Sequence, residues 1–282
     1  MEQAVSKEEI RQLSLEARRE GKRIALVPTM GALHEGHLSL VRAAQTRADV
    51  VVASIFVNPT QFGPGEDFEA YPRDLERDMA LLSAEGVDAV FTPSADAMYA
   101  PDAQVTVDPG PLGELWEGTS RPGHFRGVCT VVAKLLSLVS PDVAFFGEKD
   151  YQQLVIVRRM AADLDFPVKI VACPVVRDPD GLAVSSRNAY LSPEERRAAT
   201  VLYRALREAE TLVCGGERDG SFVEQAMRDT VESEPLAVLD YAALVDPRTL
   251  VRVAEAPGAR AIIAARIGAT RLIDTMAMPS SV

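Results

Sequence analysis

An α/β fold is predicted, built on a parallel sheet covered on both faces by helices and followed by a smaller α+β domain. Three observations predict it. Short apolar runs alternate with amphipathic helical patterns as far as about residue 172, the pattern of repeated βαβ units. None of those runs contains a proline, so each can be a buried central strand. Beyond Arg187 the order changes to helices first and strand-like runs after them.

The elements follow in order. Residues 1–22 carry charges on an amphipathic pattern and read as a helix rather than a signal peptide. Residues 23–27 (RIALV) form a buried strand that stops at Pro28, and residues 37–47 form a helix with Leu38, Leu40, Val41 and Ala44 on one face. Residues 50–57 are a second strand, a polar loop leads to a helix over 73–85, and residues 89–92 are a third strand. The stretch 93–122 is broken by Pro and Gly and holds the only tryptophan, Trp116. A helix over 124–139, a strand over 143–146, a helix over 151–163 and a strand over 168–172 complete a doubly wound, Rossmann-like domain if the crossovers are right-handed. The boundary is expected at the polar turn RDPDG, giving domains 1–179 and 180–282, the smaller one closing over the active site. In that domain Ser192, Pro193, Glu194 and Glu195 make a strong helix start. Helices over 193–213 and 221–233 precede strands over 239–245, 261–266 and 272–277.

Composition narrows the function. The 282 residues are 47% hydrophobic and 25% charged, with a formal net charge of −11. An acidic surface disfavours nucleic acid, whose binding needs a basic face, and an anionic membrane equally. No apolar run approaches the roughly 18–20 residues that span a bilayer. The three cysteines, Cys129, Cys173 and Cys214, are widely spaced, without C-x-x-C, as expected in a reducing cytoplasm. An anionic ligand such as a nucleotide would then need a local cluster of cations and backbone amides.

Such clusters stand where an open α/β sheet binds ligands, beyond the carboxyl ends of its strands. After the first strand come Thr29, Met30, Gly31, Ala32, Leu33, His34, Glu35, Gly36 and His37, with two of the three histidines of the chain. Glycines let the backbone approach a ligand, and the helix start that follows offers amides and a positive dipole end to an anion. His37 stands where a P-loop has lysine, and the histidines are three apart rather than four as in H-E-x-x-H. The plain alternative is a helix-capping turn with surface histidines. Asn58 and Gln61, past the second strand, are neutral amides suited to hydroxyl and carboxylate groups, or ordinary loop residues. Arg121, His124 and Arg126 gather at a helix start, where cations oppose the dipole, so that an anionic ligand would explain them. Lys149 beside Gly147 suits charge developing on a phosphate, Asp150 the ribose or a magnesium-bound water, and Gln153 a substrate hydroxyl. Ser185, Ser186 and Arg187 suit terminal phosphates, or merely cap a linker.

The string T-x-G-x-x-H-x-G-H resembles the phosphate-binding signature of the nucleotidylyltransferase superfamily, shared with class I aminoacyl-tRNA synthetases. PTMGALHEGHLSLV, FVNPTQFGPGEDFEAYPRDLERD, FGEKDYQQL, LDYAALVDPRTL and ARIGATRLIDTM resemble the pantothenate synthetase (pantoate–β-alanine ligase) family over nearly the whole chain. The resemblance implies an AMP-forming ligase that condenses pantoate with β-alanine through a pantoyl adenylate. It implies His34, His37 and Lys149 as catalytic groups. It implies an ATP site of Met30, Gly31, Ala32, Leu33, His34, Glu35, Gly36, His37, Gly147, Glu148, Lys149, Asp150, Val176, Val184, Ser185, Ser186 and Arg187. Relatives often carry a longer apolar residue at the position of Val184. Gln61 and Gln153, with Asn58 and Arg121, are implied at pantoate and β-alanine. Mg2+ is expected on the ATP phosphates rather than in a protein cage, with Asp78 in its outer shell, and the protein is expected to be a cytoplasmic homodimer. A nucleotidylyltransferase that stops at adenylyl transfer, a nucleotide-binding protein without chemistry, an RNA-binding synthetase relative and a zinc hydrolase are the rival readings. The acidic charge counts against RNA, the intact H-x-G-H against a dead site, and the lack of a third ligand against zinc.

Overall fold

A computed structural model describes residues 1–280. The chain forms two compact units, one of Met1–Gly147 with Ile156–Cys173, the other of Glu148–Val155 with the chain from Pro174 onward.

The first unit contains β1 (Glu2–Ala4), α1 (Lys7–Arg19), β2 (Ile24–Thr29), α2 (Glu35–Gln45), β3 (Val50–Ile55), α3 (Leu75–Ala84) and β4 (Ala89–Phe91). Two single turns follow, α4 (Ala95–Met98) and α5 (Glu117–Ser120), then α6 (His124–Val139), β5 (Val143–Gly147), α7 (Tyr151–Asp163, begun in the second unit) and β6 (Lys169–Cys173). All six strands are parallel, in the order β1-β4-β3-β2-β5-β6. Alternate strand residues go to opposite faces, and in the inner strands β2, β3, β4 and β5 both sets are buried. Ala25, Val27, Val51, Ala53, Val143 and Phe145 pack with Leu40, Val41 and Ala44 of α2 and Leu82 of α3, while α1 and α6 lie against β2.

Three local features depart from the sequence expectation. The first residues are not helical: Glu2, Gln3 and Ala4 add an edge strand to β4, and α1 starts only after Ser6, whose hydroxyl and Glu9 form a capping box. The strand β2 does not stop at Pro28 but runs through it to Thr29. The helix expected over 193–213 is two helices, because the amides of Thr200 and Leu202 reach back three residues, to Arg197 and Ala199, and tighten the chain there.

The second unit holds α8 (Pro193–Ala198), α9 (Val201–Cys214), α10 (Gly220–Glu232) and an antiparallel sheet β7 (Ala237–Val245), β8 (Arg260–Ile267), β9 (Thr270–Ala277). Leu202, Leu206, Val223 and Met227 from the helices meet Leu244, Ile263 and Leu272 from the sheet in its core. The segment Glu148–Val155 is tied into this unit. Arg260 reaches Glu148 at 3.0 Å and Thr275 at 2.7 Å and lies over the Tyr151 ring at 4.1 Å, and the Tyr151 hydroxyl donates to the Pro247 carbonyl at 3.0 Å.

Candidate active site

The chain winds outward from β2 through β3 to β4, then crosses back to β5 and β6, so the sheet reverses direction between β2 and β5. A crevice at that point is the expected ligand site. Pro28 opens it. The Thr29 carbonyl accepts from Phe56 beyond β3, and the Ile24 carbonyl accepts from Asp142 before β5. By alternation Pro28 therefore faces β5. With no N–H to give, it marks the end of a β2–β5 ladder that pairs only Ala25 and Leu26, while β2 and β3 stay paired through Thr29.

The residues 30–37 turn out of β2 over this end. Gly31 has φ +80, and a Cβ there would meet an Asp78 carboxylate oxygen at 2.9 Å. Ala32 has φ 49, a costly backbone for a residue with a side chain, and the buried Asp78 holds it. Its two carboxylate oxygens accept the Ala32 and Leu33 amides, each at 2.8 Å, while Arg77 donates to the Leu33 carbonyl at 3.1 Å. Burial raises the Asp78 carboxyl above its ordinary range and the two amides pull it back only partly. Thr29 braces the other side, its hydroxyl donating to Ser54 O at 2.6 Å and accepting from the Gly31 amide at 3.2 Å. His34 caps α2, and its ring stacks on that of His37 with centroids 4.0 Å apart. The His37 Nδ1 accepts the His34 amide at 3.4 Å, which leaves the proton of the neutral ring on Nε2. Gly36 has no Cβ because the His34 ring fills that space, 2.9 Å from where the Cβ would be.

Asn58 and Gln61 belong to one buried 3-10 turn past β3. The Asn58 amide donates to Gln61 Oε1 at 3.1 Å and to the Gly127 carbonyl at 3.2 Å, and its Oδ1 accepts from the hydroxyls of Thr60 (2.9 Å) and Tyr99 (2.8 Å). The Gln61 Nε2 lies 3.3 Å from the Met30 sulfur, so this turn and the histidine-bearing turn adjoin. The start of α6 supports it from below. Arg121 forms a two-pronged pair with Glu66, at 2.9 and 2.5 Å, and its Nη1 lies 3.3 Å from His124 Nε2. His124 Nδ1 is 2.8 Å from the Gln61 carbonyl. Arg126 turns outward to Asp108. The charges at this helix start are thus answered by Glu66 and Asp108. Burial, then the Arg121 charge, push the His124 imidazole down to about 4. Burial works to raise the Glu66 carboxyl, but the Arg121 hydrogen bonds and charge outweigh it, leaving Glu66 below its ordinary range.

The remaining predicted residues lie in the second unit, apart from Gly147, the last residue of β5. Lys149 is half-buried in a 3-10 turn, with Nζ 3.6 Å from Asp150, and Gln153 sits half-buried in the first turns of α7. Val176 and Val184 are joined by one backbone hydrogen bond at 3.0 Å, closing the loop between them. Arg177 fixes that loop, reaching Asp274 at 2.6 and 2.9 Å and the Gly181 carbonyl at 3.0 Å, and Arg196 clamps Asp178 and Asp180 from outside. Ser185 caps the 3-10 turn Ser186–Tyr190, which presents Ser186 and Arg187 half-buried. Sequence reasoning had no signal for Arg177, Tyr99 or the holding role of Asp78, whose partners are 41 to 97 residues away. No group of three or more His, Cys, Asp or Glu among the described residues is arranged to hold a metal ion.

A family model described as pantoate-beta-alanine ligase matches residues 3–277. A pantothenate synthetase of Rubrobacter xylanophilus is 58% identical, covering 97% of each chain, and one of Roseiflexus sp. is 57% identical over 88% of this chain and 90% of its own. The crystal structure of pantothenate synthetase from Thermus thermophilus superposes with a TM-score of 0.94 at 48% identity, covering 99% of this chain and 100% of that one. A pantoate-beta-alanine ligase from Francisella tularensis, solved as a complex with beta-gamma ATP and beta-alanine, superposes at 0.82 with 34% identity, covering 98% and 97%.

Proposed function

This chain belongs to the pantoate–β-alanine ligase family, and from that premise we propose that it condenses pantoate with β-alanine at the expense of ATP, releasing AMP and pyrophosphate. The pair of stacked histidines on a fixed turn at the β2/β5 reversal carries this reading. A carboxylate does not acylate an amine at neutral pH, because its oxygen is a poor leaving group. Attack of the pantoate carboxylate on the α-phosphorus of ATP expels pyrophosphate and gives pantoyl adenylate. The β-alanine amine then attacks the acyl carbon, the C–O bond to AMP breaks, and the amine proton leaves to solvent.

The protein aligns reactants and meets charge that grows on phosphate oxygens. We assign His34 and His37 of the first unit, and Lys149, Ser185, Ser186 and Arg187 of the second, to the phosphates. His37 offers Nε2–H, since its Nδ1 accepts the His34 amide. Gln61 and Gln153, with Asn58 behind Gln61, are assigned to pantoate; a neutral amide can donate to the carboxylate and accept from the hydroxyls without repulsion. Arg121 serves this pocket through Glu66 and His124. Magnesium enters as part of the nucleotide substrate, held by phosphate oxygens and water. A cytoplasmic homodimer remains our reading of the assembly; Cys129, Cys173 and Cys214 are all free thiols, as a reducing compartment favours, and no described helix is long and apolar enough to cross a membrane.

Pantoate labelled with ¹⁸O in its carboxylate tests the route. The label is expected in AMP. Label in inorganic phosphate, with ADP as product, would mean an acyl phosphate and overturn the reading, and adenylate formed without consumption of β-alanine would make the protein a nucleotidylyltransferase.

A further inference from the structure

The turn that carries Gln61 is held by a side chain that touches no reactant in the chemistry above. We propose that His124 is a positioning residue for pantoate: its Nδ1–H fixes the Gln61 carbonyl, its Nε2 accepts from Arg121, and the Gln61 side chain is thereby aimed. The proposal rests on the assignment of Gln61 to pantoate.

The geometry determines where the proton sits. The Gln61 carbonyl, 2.8 Å from Nδ1, can only accept. The Arg121 guanidinium, 3.3 Å from Nε2, can only donate. A ring with its single proton on Nδ1 satisfies both partners, and either alternative fails one of them. The opposite tautomer sets two acceptors against each other at the carbonyl, and the imidazolium sets N–H against N–H at Arg121. The ring is 9% exposed, with the Phe125 ring edge-on at 4.9 Å. Three charged groups face it. Arg121 opposes its protonation, whereas Glu117 and Glu66 favour it, and Glu66 is already engaged two-pronged by Arg121. Arg121 also places Nη2 3.4 Å from the same Gln61 carbonyl, so the carbonyl is gripped by two donors that are fixed to each other. The Gly127 backbone closes the seat: a Cβ there would stand 2.6 Å from the Gln61 nitrogen. Gln61 therefore has little freedom in its main chain, and its amide can meet a ligand without first being ordered.

The chain has only three histidines, so ¹⁵N spectra of the imidazoles resolve each of them in the intact protein. His124 is expected to show protonated Nδ1 and bare Nε2 from pH 5 to 8. A cationic ring at pH 6, or a proton on Nε2, would overturn the proposal. His124→Leu is expected to raise KM for pantoate about tenfold, the scale of one net hydrogen bond, to leave KM for MgATP within about twofold, and to move the ¹³C shift of the Gln61 carbonyl. His124→Asn keeps a donor near the Nδ1 position and should recover most of both effects, which also guards against a leucine variant that fails to fold. An unmoved Gln61 carbonyl in His124→Leu, a His124→Asn variant whose Gln61 carbonyl shift and pantoate KM depart as far from the unsubstituted protein as those of His124→Leu, or an unchanged pantoate KM in His124→Leu where Gln61→Ala raises it, would refute the positioning role. If Gln61→Ala itself leaves pantoate KM unchanged, the pantoate assignment falls, while the carbonyl shift and the tautomer still decide whether His124 holds the turn.

Discussion

Gly36 has an ordinary helical backbone, so nothing in its conformation requires glycine. The His34 ring requires it, with Cε1 at 2.9 Å and Nδ1 at 3.0 Å from the missing Cβ. Gly36→Ala therefore separates stability from function. Alanine is favoured over glycine in a helix by about 1 kcal/mol, and the ring it displaces is the far end of a mobile side chain, so the melting temperature should hold or rise. The moved His34 ring breaks the stack on His37, and the rate of pantoyl-adenylate formation should fall by roughly 10²-fold, the scale of a misplaced or lost catalytic donor. Single-turnover rates alongside thermal unfolding check this; an unchanged rate would mean the stacked pair does not act on the phosphates. The two histidines and two glycines of this turn were legible as a ligand-binding loop because they cluster in one short stretch. Asp78 was legible only as a nearby acid. Its work is to hold the Ala32 and Leu33 amides, and no spacing rule reports a contact across 45 residues.

At the scale of elements, the strands with strong apolar runs were legible, and so were the helices with a capped start. The failures have physical reasons. Glu2, Gln3 and Ala4 have no strand composition; they pair because β4 offers an open edge. Pro28 would break a strand paired on both sides, but β2 has already parted from β5 where Pro28 stands. The seat of the Asn58–Gln61 turn was hidden because it is made by the backbone of α6. Gly127 lies so close that a Cβ would meet the Thr60 carbonyl oxygen at 2.3 Å and the Gln61 nitrogen at 2.6 Å. Both neighbours are backbone and cannot swing away. Gly127→Ala should thus lift the turn off α6, costing about 1–3 kcal/mol of stability as overpacking does. It should raise KM for pantoate more than KM for MgATP. Equal changes in the two constants would show that the turn does not define the acid pocket.

For the whole molecule, the buried network at the start of α6 sets how acid acts on it. A folded-state imidazole at about 4 against 6.5 in the unfolded chain means that between those values the unfolded chain binds a proton that the folded one refuses. Stability then rises with pH across that window and falls as pH drops through it, by at most about 3 kcal/mol if the whole difference is realised. The depressed Glu66 acts in the same sense but lower, its contribution being complete above the ordinary carboxylate range and lost as pH falls through its own lowered value. Asp180, Asp219 and Asp246 in the second unit are likewise depressed, so their loss also belongs below about pH 4. The raised carboxyls of Asp78 in the first unit and Asp274 in the second act in the opposite sense, favouring the folded state as pH falls. Acidification from pH 7 to 5 should therefore loosen the His124 network at the start of α6 and spare the second unit. Amide hydrogen exchange, corrected for its intrinsic pH dependence, should show protection lost in α6 and residues 58–61 while β7, β8 and β9 keep theirs. In His124→Asn, which has no imidazole to titrate, the pH 5 and pH 7 patterns of α6 should coincide. An α6 that loses protection equally in this variant would place the acid response on some group other than His124.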